Sequence, residues 1–132
     1  MGGIDREEML RWLLGMFALC QQYDAITGRI TENWRKGPVD YKEVLAEGEL
    51  PSLLEQLRNM PVPEEPQCQQ VTKDFESGIN ARIKAEAVAA ENAGGTPDKN
   101  LSASSALWLS ASKTSLKNMI RDLALLREKY QL

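Results

Sequence analysis

Apolar residues recur at three- and four-residue steps along three runs of about 30 residues each, and clusters of proline and glycine separate the runs. A helix turns 100° per residue, so this spacing lays one apolar stripe along one helix face; a half-buried strand would alternate instead, and no six-residue stretch does so. The chain is therefore expected to be all-α.

The first helix is predicted from about Ile4 to Trp34. Met9, Leu13, Met16, Cys20, Tyr23, Ile30 and Trp34 share a face that Trp12, Leu19 and Ile26 widen, with Thr27 its one polar member. Lys36-Gly37-Pro38 ends it, because proline disfavours helical geometry in its predecessor. Asp40 and Glu43 then resemble a capping box, Gly48 a stop, and Pro51 a first-turn proline ahead of Leu53, Leu54 and Leu57. Together they read as one broken helix over about Asp40 to Met60. After the stiff connector from Pro61 to Pro66, a third helix is predicted to about Asn92, with Val71, Phe75, Ile79 and Ile83 in register. A fourth, from about Leu101 to Tyr130, carries Leu116, Met119, Leu123, Leu126 and Tyr130.

Helices of this length span roughly 40–45 Å at 1.5 Å per residue. Short connectors make neighbours antiparallel, which gives an up-down-up-down four-helix bundle with three long helices and a broken, shorter second helix. That topology sets Ala85, Ala87, Ala89 and Ala90 against Ser102, Ala103, Ser104, Ser105, Ala106, Ser110, Ala111 and Ser112, two small-residue surfaces that permit close backbone approach. At 132 residues, with 42% apolar and 27% charged side chains, residues 1–132 are expected to form a single domain.

Several chemistries are disfavoured. The chain has no histidine, which removes the commonest general base and metal ligand. Cys20 and Cys68 are too few for a structural zinc site and belong to no C-x-x-C pair; free thiols are expected. No phosphate-binding loop is present, and the i, i+3 carboxylate pairs Asp5/Glu8 and Asp40/Glu43 sit at helix starts, where the helix dipole accounts for them. No catalytic residue, metal site or cofactor is expected. The apolar run from Met9 to Cys20 falls short of the ~20 residues needed to span a bilayer. No positive leader precedes it, and Arg6 stands where a myristoylation motif needs Ser or Thr, so a cytoplasmic location away from membranes is the expectation.

Three features could carry function. The first is charge: residues 1–91 hold ten basic and sixteen acidic side chains, residues 92–132 six and three. Lys113, Lys117 and Arg121 sit four apart on the last helix, either as a solvated face or as a strip for an acidic partner. Nucleic acid is the less favoured partner, since net charge is −3 and few aromatic residues interleave. The second is an aromatic end, where Trp34, Arg35, Tyr41 and Trp108 would gather as an interface anchor or a plug of the bundle end. The third is a surplus apolar stripe on helix one: Leu10, Leu14 and Phe17, set well to one side of the core face. It is covered within the monomer by Leu53, Leu54 and Leu57, which is the preferred route, or by its own copy in a homodimer. The expected role is a non-catalytic protein-interaction or regulatory module.

Overall fold

The computed structural model describes residues 5–35, 48–94 and 99–132, with side chains over 5–32, 48–91 and 103–132. Among them are four helices: α1 (Arg6–Arg35), α2 (Glu49–Asn59), α3 (Pro66–Gly94) and α4 (Lys99–Tyr130). They form an all-α helical bundle without strands in the described residues. The segment expected to hold the first half of the broken helix, with Asp40, Tyr41 and Glu43, lies outside the described residues.

Local chemistry explains where the helices begin and end. Asp5 caps α1: its Oδ1 accepts from the Glu8 amide at 2.7 Å and its carbonyl from Met9. The i, i+3 carboxylates there serve the helix start, as the sequence suggests. Gly48 precedes α2 with φ 81°, a left-handed conformation in which a Cβ would be strained. Glu65 caps α3, accepting from the Gln67 amide at 3.2 Å, and Pro66 takes the first helical position. α4 closes in a Schellman motif: Gln131, at φ 56°, donates its N–H to Glu128 O, and Leu132 donates to Arg127 O.

The core is the periodic set. Met9, Leu13, Met16, Leu19, Tyr23, Ile26 and Ile30 of α1 are buried with Val71, Phe75 and Ile79 of α3 and Met119, Leu123 and Leu126 of α4. Tyr23 meets Phe75 edge to face, with ring centroids 6.2 Å apart. α3 and α4 are the most intimately packed pair, and small residues are the reason. Ser112 Oγ donates to Gly78 O at 2.7 Å, and Ser105 Oγ to Ala85 O at 2.9 Å. A Cβ on Gly78 would stand 2.8 Å from Leu116 Cδ2, so any larger residue there must displace the Leu116 side chain. Of the small residues anticipated, Ala85 and Ser112 are buried, whereas Ala87 is exposed; Gly78 and Ala81 extend the surface toward the middle of α3.

The placement of α2 corrects one expectation. Leu50, Leu53, Leu54 and Leu57 are buried, but they do not cover Leu10, Leu14 and Phe17. α2 lies on the opposite flank of α1: Arg29 Nη2 is 2.6 Å from Glu49 Oε1, and Met60 Sδ stands 3.0 Å from where a Gly15 Cβ would be. At 100° per residue that flank carries Leu19 and Ile26, about 120–140° around the helix from Leu14.

Candidate interaction surface

The α1–α4 seam is the open side of the bundle. The two helices run antiparallel with their ends tied, Arg6 Nη2 donating to Gln131 O at 2.7 Å. At mid-height Tyr23 OH and Ser112 Oγ are 3.4 Å apart. Between them lies a groove of about 380 Å³. Phe17 and Cys20 form one wall, Leu116, Ile120 and Ala124 the other, and Phe75 and Met119 line the floor. Phe17 and Arg127 lead into a second depression of about 210 Å³ with Leu10, Leu14 and Leu132. The Arg127 guanidinium sits 5.9 Å from the Phe17 ring centroid, a cation–π contact that divides the two.

The apolar side chains along this path are open to solvent: Leu10 is 42% exposed, Leu14 59%, Phe17 40% and Ile120 61%. Leu107 and Leu125 are also exposed, but they project from the far side of α4, where single apolar residues are ordinary. The groove residues are contiguous, which distinguishes them.

Two helical rows build the surface. On α1 the row runs Leu10, Leu14, Phe17, Gln21, Asp24; on α4 it runs Lys113, Lys117, Ile120, Ala124, Arg127. Each is the row adjacent to its helix's core row. Sequence reasoning found the α1 half but missed Ile120. Its signal was the second three-four repeat on α4, masked by treating Lys113 and Lys117 only as part of a charge strip with Arg121.

Of the basic strip, Lys113, Lys117 and Arg121 are all exposed. Arg121 Nε lies 3.7 Å from Asp122 Oδ1, while Lys113 and Lys117 have no ion pair among the described residues. The aromatic end is described only in part. Trp34 and Arg35 belong to the last turn of α1, their side chains beyond the described set, and Tyr41 lies outside the described residues. Trp108 is half-buried with Lys84 Nζ 4.5 Å from its ring centroid, so its face is occupied from within the fold.

Both cysteines are free. Burial, aided by the charge of Asp24, pushes the Cys20 thiol up to about 11. Burial, then the Glu65 carboxylate, pushes Cys68 up to about 12. Cys68 Sγ lies 3.7 Å from Glu65 Oε2 and 3.8 Å from Met9 Sδ, either of which can accept its one S–H. Both thiols stay protonated near neutral pH, which makes them poor nucleophiles. Among the described residues no helix is long and apolar enough to cross a membrane. No family model, curated protein or solved structure matches the chain.

Proposed function

We propose that this protein is a non-catalytic interaction module whose contact surface is the α1–α4 groove. The observation that carries the reading is the unsealed seam, where Leu10, Leu14, Phe17 and Ile120 remain exposed while every other long apolar row of α1 and α4 is in the core. A folded chain gains by covering a contiguous apolar strip, and a protein partner does so without disturbing the fold. The mixed composition supports the same reading, since apolar side chains line the floor, Asp24 and Arg127 edge it, and Lys113 and Lys117 continue its α4 row. The protonated thiols supply no nucleophile for a competing catalytic role. A cytoplasmic setting fits this role and is part of the proposal.

The test compares proteins copurifying with the wild type and with Ile120→Glu. Ile120 is exposed, so the variant is expected to keep its helical circular dichroism and to change stability by about 0.5 kcal/mol or less. Loss of copurifying chains in the folded variant supports the surface; an unchanged set of partners overturns it.

A second reading rests on Lys113 and Lys117, exposed and without an ion pair among the described residues: docking of an acidic partner on that end of α4. Such binding weakens steeply with added salt, whereas groove binding through apolar contacts does not.

A further inference from the structure

We propose that the occupant of the groove is a second copy of this chain, related by a two-fold axis running parallel to α1 and α4. The proposal rests on the groove being the contact surface and adds its partner and its geometry.

Three contacts set the register of the antiparallel pair within one chain: Arg6 with Gln131, Phe17 with Arg127, and Tyr23 with Ser112. The first and third agree closely, the long Arg127 side chain reaching along the helix to Phe17; they place Asp24 level with about Ser112 and Lys113, with Lys117 one turn on, Phe17 level with about Ile120, and Leu14 level with about Asp122 to Ala124. A two-fold axis along the groove lays α1 of the second copy over α4 of the first, in the same antiparallel sense and the same register. The rows then complement each other along their length. The second copy's Asp24 reaches Lys113 and Lys117, its Phe17 meets Ile120, and its Leu14 enters the gap above the small Ala124. The same contacts form twice, as an isologous interface requires.

Charge selects this arrangement over the alternative. An axis across the helices would lay α1 on α1 and α4 on α4. Centring that contact on Leu14 brings Arg127 level with about Lys117 of the other copy, a like-charge pair, and sets Asp24 near the other copy's Arg6 rather than its lysines. Like charges brought together at an interface disfavour association, and opposite charges fix register. The parallel axis pairs Asp24 with the two lysines that lack an ion pair among the described residues.

Sedimentation equilibrium of the purified protein, from micromolar to millimolar concentration, is the experiment. The expected mass is twice the 14.8 kDa of one chain. Ile120→Glu is expected to give one chain mass with helical content retained. Asp24→Lys and Lys117→Glu should each weaken the dimer about tenfold, and the double variant Asp24→Lys/Lys117→Glu should recover most of that loss. A dimer indifferent to both charge reversals overturns the geometry. A single-chain mass at every concentration overturns the proposal. If Ile120→Glu still strips a different protein from the wild-type complex in that case, the groove remains the contact surface and only its occupant is wrong.

Discussion

At the residue scale, two glycines in helices have opposite meanings. Gly28 lies on the exposed face of α1, with nothing within 4 Å of an added Cβ. Gly78 is buried against Leu116 and the Ser112 carbonyl. Gly28→Ala is expected to stabilise by about 0.5–1 kcal/mol, because alanine is the better helix former and nothing opposes it. Gly78→Ala makes the same propensity gain but must displace the Leu116 side chain from its place in the α3–α4 contact, and a net loss of about 1–3 kcal/mol is expected. Urea unfolding of the two variants checks the pair, and equal signs would refute the close approach. Nothing in a single sequence distinguishes them, since each is a lone glycine inside a helical pattern. Asp5 was legible because capping needs only neighbours in sequence.

At the element scale, α2 is the weak member. Eleven residues are too few for a helix to persist alone in water, so its stability comes from packing. Leu50, Leu53, Leu54 and Leu57 supply that packing, and two exposed ion pairs, Arg29–Glu49 and Arg58–Glu76, add little. Leu53, fully buried, is the test position: Leu53→Ala should cost about 2–5 kcal/mol. Amide exchange in α2 should then approach that of unprotected chain while the middle of α3 and α4 remains slow; uniform loss of protection would show α2 to be part of one cooperative unit. The extents of α1, α3 and α4 agree with the periodicity to within two residues at each end. Periodicity and caps are properties of a single helix, and they were readable for that reason. The flank of α1 that α2 would choose was not, because Leu53, Leu54 and Leu57 are compatible with either side.

At the scale of the whole molecule, the proposed pairing across the open α1–α4 seam would make association and stability one equilibrium. With a second copy in the groove, the folded dimer is favoured by mass action, and Tm is expected to rise by about 2–4 °C per tenfold increase in protein concentration. Ile120→Glu should remove that dependence and leave the Tm of the dilute protein almost unchanged. Scanning calorimetry over a hundredfold concentration range reads both.

What the chain alone determined is the three long helices and the rows that face the core, because a 3.6-residue period and a capping side chain act over a few neighbouring residues. It also disclosed that Leu10, Leu14 and Phe17 were surplus to that core. The tertiary structure decided the rest. α2 went to the far flank of α1, Gly78 came to pack against Leu116, and Ile120 came to stand across from Phe17. Each depends on which face of one helix meets which face of another, a choice among packings that share the same apolar rows and differ only in how the side chains of distant segments interlock.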